Sequence, residues 1–165
     1  MKIAIRLVLL AAMAALGFWL WTVLFPGPEK VIRGKMSTLA TTATFGSADS
    51  NLNRAAKAAN LVGYFSEDAQ ISLDVSGYGT ISISGRDEIR ERSYGGFAAL
   101  PALKVEFLDV TVRLGADQQT ADVTCTARVY VGNSKDYGVQ EMHFQFKRVE
   151  KNWLISRVET VKTLS

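Results

Sequence analysis

From Lys104 to Val161 the chain alternates apolar and polar side chains in four long runs: Lys104 to Leu114, Gln119 to Val131, Tyr137 to Val149 and Asn152 to Val161. A period of two is the signature of a pleated strand with one dry face and one wet face. The connections are short: Gly115-Ala116-Asp117, Gly132-Asn133-Ser134 and the tight Glu150-Lys151 pair. Strands joined by so few residues pair antiparallel, and their common apolar face demands a cover. The phase is readable as well. Ala121, Val123, Cys125, Ala127 and Val129 share one face of their strand, against Thr120, Asp122, Thr124, Thr126, Arg128 and Tyr130 on the other. On the next strand Met142, Phe144 and Phe146 oppose Glu141, His143, Gln145 and Lys147. The apolar sets are expected to face the cover, and Val123, Cys125, Met142, Phe144 and Phe146 are the expected lining of any ligand pocket beneath it.

The cover is written upstream. Ile32, Met36, Leu39 and Ala43 recur at helical spacing, in a helix expected to stop at Gly46. Asp49 or Ser50 can cap a second helix with a narrow stripe of Leu52, Ala55, Ala56, Ala59 and Val62. Gln70 to Val75 and Thr80 to Ser84 read as a hairpin around Gly77 and Gly79, and Arg86 to Phe97 as a short helix ending at Gly95-Gly96. Helices first and long strands last give an α+β class, with helices packed on one face of a curved antiparallel sheet.

Three phrases in this order carry a resemblance: Leu61-Val62-Gly63-Tyr64-Phe65-Ser66-Glu67-Asp68-Ala69, Ser84-Gly85-Arg86-Asp87-Glu88-Ile89, and Phe146-Lys147-Arg148-Val149-Glu150-Lys151-Asn152-Trp153-Leu154-Ile155. Together they resemble the nuclear transport factor 2-like superfamily, which includes the SnoaL-like cyclases. That resemblance implies a cone whose helices and curved sheet enclose a pocket. It also implies that any acid or base chemistry sits inside the cone. Steroid isomerases of the superfamily carry a base Asp near the position of Asp74, which falls one place later than that pattern expects. Tyr64 and Tyr78 are the nearby hydrogen-bond donors such a site would need.

Other chemistry is scarce. His143 falls in the outward phase, with no second histidine or further cysteine to complete a metal site. Cys125 falls among small inward residues, where a thiol packs and stays inert. Arg86, Asp87 and Glu88 suit the start of a helix rather than an anion site. No Walker or dinucleotide fingerprint occurs, so no cofactor is expected. Lys and Arg number 19 against 16 Asp and Glu, with no block of like charges, so nucleic acid is not an expected partner.

Residues 7–25, LVLLAAMAALGFWLWTVLF, hold nineteen positions without a charge, and Pro26, Gly27 and Pro28 follow. At about 1.5 Å per residue such a run nearly spans a hydrocarbon core of about 30 Å. Trp19 and Trp21 suit the interface, and no small-residue cleavage pattern follows the run. Residues 1–29 are therefore expected to be a membrane anchor, retained rather than cleaved, and residues 30–165 one folded domain. With the N-terminal tail cytoplasmic, the domain is expected on the outer side of a bacterial-type inner membrane. Basic residues are nearly balanced across the run, Lys2 and Arg6 against Lys30, Arg33 and Lys35. The leading expectation is a membrane-tethered domain of the cell envelope that binds a small hydrophobic ligand or a partner without catalysis. The alternatives are a SnoaL-like isomerase, cyclase or hydratase using Asp74 with Tyr64 or Tyr78, and an assembly component of an envelope complex. A homodimer through the outer sheet face is a further expected partner.

Overall fold

A computed structural model describes residues 12–20, 27–75, 79–132 and 136–161. Three helices and six strands follow in the order α1 (Pro28–Ala43), α2 (Asn51–Val62), β1 (Phe65–Val75), β2 (Gly79–Ser84), α3 (Arg86–Ala99), β3 (Leu103–Leu114), β4 (Thr120–Val131), β5 (Tyr137–Val149) and β6 (Asn152–Thr160). Residues 12–20 are helical and exposed. Among the described residues no helix is long and apolar enough to cross a membrane. The rest of the 7–25 run lies outside the described residues.

The strands form one sheet in the order β2-β1-β6-β5-β4-β3. β3, β4, β5 and β6 pair antiparallel in succession, as their short turns require. The sheet is nevertheless mixed, correcting the all-antiparallel expectation, because β1 and β6 pair in parallel. A parallel pair needs a long crossover, and everything from β2 to β5 supplies it. β1 also starts five residues earlier than expected. Ser66, Glu67 and Asp68 disguise its first part, and the register with β6 shifts between Phe65 and Gln70.

Bulges bend the sheet into its curve. β3 changes register against β4 between Leu108 and Thr111, with Asp109 in the left-handed region at φ 52°. Aspartate tolerates that region better than most side chains, and the extra residue bends the strand. β5 and β6 shift register at Gln145/Phe146.

The helices lie on the concave side. α1 buries Ile32, Met36 and Leu39. It ends at Ala43 rather than Gly46, because Thr44 turns extended and Phe45 forms a bridge with Leu103. α2 is capped by the Ser50 hydroxyl, which accepts from the Asn53 N–H. Its buried stripe is Ala58 and Val62, with Arg54, Ala55 and Leu61 partly covered. This corrects the expected stripe, since Leu52 is 79% exposed. α3 continues through Gly95-Gly96 to Ala99, with Ile89 and Phe97 buried. Helical backbone hydrogen bonds hold both glycines although each costs about 1 kcal/mol relative to alanine.

One interaction network ties the helical layer to the start of β3. The Arg54 guanidinium donates to three carbonyls, Leu100 at 2.7 Å, Pro101 at 2.7 Å and Gly46 at 3.1 Å, and stacks over the Phe45 ring. Lys57 Nζ adds a bond to the Thr44 carbonyl at 2.7 Å.

Candidate functional site: an apolar hollow

The inward residues of the C-terminal strands are buried as their alternation predicts: Ala121, Val123, Cys125 and Ala127 on β4, and Met142, Phe144 and Phe146 on β5. They do not all pack against helices. Toward the start of β3 and β5 and the ends of β1, β4 and β6, the helical layer leaves a hollow of about 510 Å³. Its walls include Leu73, Val105, Phe107, Val129, Met142 and Phe144, and Ala127 also reaches it. Phe107 and Phe144 meet edge to face, their ring centroids 5.5 Å apart. A volume in this range suits a small organic ligand.

Among the described residues the polar lining is Asp74, Gln140 and Thr160. Among the described residues no lysine, arginine or histidine lines the hollow. Thr160 Oγ1 accepts from the Asp74 backbone N–H at 2.9 Å, which leaves its own proton for donation elsewhere. Asp74 is half-buried at the rim. Alternation with Ile71 and Leu73, which pack against the core, puts its side chain in the opposite phase.

Of the expected pocket residues, Met142 and Phe144 line the hollow, and Val123, Cys125 and Phe146 do not. Those three are buried in the core cluster that also holds Ile32, Met36, Leu39 and Trp153. Burial among apolar neighbours pushes the Cys125 thiol up to about 12.

Tyr64 and Asp74 are not brought together. They flank opposite ends of β1, about 30 Å apart along an extended strand. The Tyr64 hydroxyl shares a hydrogen bond with Thr42 Oγ1 at 3.3 Å, and Lys35 lies over its ring. Tyr78 lies outside the described residues. Arg86 serves the fold, its Nε donating to the Phe65 carbonyl at 3.0 Å.

His143 points to the outer face of the sheet, as its phase requires. Its Nδ1 lies 3.0 Å from Glu159 Oε1 on β6, and its Nε2 lies 3.0 Å from Asp122 Oδ1 on β4. The ring thus clasps three adjacent strands. Elsewhere on that face, Lys147 Nζ grips both oxygens of Asp68 at 2.6 and 2.7 Å. That contact lowers the Asp68 carboxyl to about 2.

Gln140, Thr160 and Arg54 escaped sequence reasoning. Alternation on β5 places Gln140 in phase with Met142 and could have found it. Arg54 left no such signal, because its partners are backbone carbonyls, Gly46 eight residues upstream and Leu100 and Pro101 46 and 47 residues downstream.

No family model matches the chain, and no curated protein matches it. Solved structures do. An NTF2-like protein with a cystatin-like fold from Novosphingobium aromaticivorans aligns with 92% of this chain and 86% of its own, at 21% identity and a TM-score of 0.61. A domain of unknown function with a cystatin-like fold from Nostoc punctiforme aligns over 86% and 80%, at 17% identity and a TM-score of 0.64. A candidate scytalone dehydratase from Novosphingobium aromaticivorans aligns over 86% and 85%, at 14% identity and a TM-score of 0.56. At such identities the likeness concerns the fold alone. The chain therefore has the α+β, cystatin-like fold of the NTF2-like proteins, with helices laid on a curved mixed sheet.

Proposed function

We propose that this chain is a membrane-tethered domain that binds a small, uncharged hydrophobic ligand in the hollow without transforming it. The hollow's lining carries the reading: among the described residues it has apolar walls, two neutral hydrogen-bonding side chains and no cation. An anionic ligand finds no counter-charge among the described lining residues, whereas a neutral ligand with one carbonyl or hydroxyl finds Thr160 and Gln140. The tether rests on the uncharged 7–25 run.

A titration of the fragment from Gly27 with the neutral dye N-phenyl-1-naphthylamine tests the site. Saturable fluorescence enhancement is expected, lost in Val129→Trp with the circular dichroism spectrum kept. Enhancement that does not saturate, or that survives Val129→Trp, overturns the reading.

A second reading, an isomerase, cyclase or hydratase, is favoured by one observation: Asp74 stands at the rim beside Thr160. Turnover of a small hydrophobic substrate that disappears in Asp74→Asn while dye binding persists would establish it. The outer face supports self-association, since Tyr137 is more than half exposed there and Arg128 stacks over its ring. Light scattering on the same fragment, with Tyr137→Glu as the comparison, tests this.

A further inference from the structure

The direction of α1 fixes which way the hollow looks. Arg33 Nη1 donates to the Val110 carbonyl, while the Val105 N–H donates to Thr44 Oγ1 at 3.1 Å. Phe45 then bridges to Leu103. α1 therefore runs antiparallel beside β3. The eleven helical steps from Arg33 to Thr44 and the five strand steps from Val105 to Val110 both come to about 16 Å, so the two axes are nearly aligned. Pro28, at the start of the helix, stands about 24 Å from the level of Val105. Val105, Val129 and Gly138 line the hollow at that far level, with Phe107 and Ala127 two residues inward, while Met142 and Phe144, four and six residues further along β5, form its inner end.

The uncharged run ends at Phe25, and only Pro26 and Gly27 separate it from Pro28. Fully extended, that link gives about 10 Å of slack, less than half the length of α1. Lipid could touch the hollow only if α1 lay flat on the surface. An interfacial helix needs an outward apolar face, but Ile32, Met36 and Leu39 are buried in the core. The side chains α1 shows to solvent are Glu29, Lys30, Arg33, Ser37, Thr38 and Thr41.

We infer that the hollow opens away from the bilayer and is filled from the aqueous side, by a small uncharged molecule dispersed in water rather than by a lipid drawn sideways from the membrane. This rests on the tethered, ligand-binding reading above. The domain presents its filled half to the membrane, and the anchor acts as a spacer that holds the hollow in the solvent.

Two single-cysteine variants of the full chain test the arrangement. Ala116→Cys lies in the exposed turn after β3, at the attachment end, and Val131→Cys lies on β4 opposite Leu103, at the hollow end. The native Cys125 is buried and does not compete for label. Each variant carries a bimane and is reconstituted in phosphatidylcholine vesicles containing a fraction of lipid with a nitroxide headgroup. Vesicle flotation is measured first, and it is expected for both. The bimane at position 116 should lose severalfold of its fluorescence to the headgroup nitroxide, and that at 131 should keep nearly all of it. Iodide in solution should quench the label at 131. Flotation with equal nitroxide quenching at both positions overturns this inference alone. Failure to float overturns the tether, and this inference with it, while the dye-binding result on the fragment stands separately.

Discussion

Replacing Arg54 with methionine removes the fork that joins α2 to the loop before it and to the loop that leads from α3 into β3, and keeps most of the side chain's bulk. Three donations are lost, to Leu100, Pro101 and Gly46, along with a stacking contact over Phe45, ring centroid 4.8 Å away. A hydrogen bond contributes about 1 kcal/mol net, and a partly exposed cation over a ring about 0.5–1 kcal/mol. Against these stands Arg54 Nε, buried with no partner in the present structure, whose desolvation costs about 1 kcal/mol or more. The balance is a loss of about 2–3 kcal/mol, or a fall of roughly 4–12 °C in Tm at 2–4 °C per kcal/mol for a domain of this size. Urea and thermal denaturation of the fragment from Gly27, followed by circular dichroism, measure it. Arg54→Lys should recover little, since one ammonium cannot reach carbonyls on both loops. Because those loops hold the start of β3, and with it Val105 and Phe107, dye affinity should fall as well. A loss below about 0.5 kcal/mol, the scatter of ordinary surface changes, would refute the assignment of Arg54 as the clamp of this layer.

The Asp68 carboxyl is lowered from 3.8 to about 2, so its contact with Lys147 is fully present above pH 4 and fades as the pH falls toward 2. With Asp68 more than two-thirds exposed, solvent screening holds this to less than about 1 kcal/mol, and Asp68→Asn should flatten the loss of stability between pH 4 and 2 in acid titrations. Cys125, with its thiol near 12, should resist maleimide in the native protein and react only on unfolding in denaturant. His143→Ala breaks a clasp on the outer face, and chemical denaturation should show a loss of about 1 kcal/mol with dye binding unchanged. A large loss of dye binding would place the imidazole's influence inside the hollow.

What could be read from the chain alone was whatever depends on local periodicity. The alternation in β4 and β5 gave the buried and outward sets residue by residue, including the outward placement of His143, because a strand's side chains must follow its pleat. Ile32, Met36 and Leu39 gave the buried face of α1 by the same logic at helical spacing. Short turns between the last four strands fixed their antiparallel succession. Pairing of β1 with β6 was not legible, since it joins segments some ninety residues apart and leaves no periodic mark. The division of the inward face into a filled half and a hollow half was equally hidden. Phe144 and Phe146 are both buried and share one phase, yet only Phe144 reaches the hollow. A pleat determines which way a side chain points, whereas the volume left in front of it depends on how far elements remote in sequence extend, and that only tertiary packing decides.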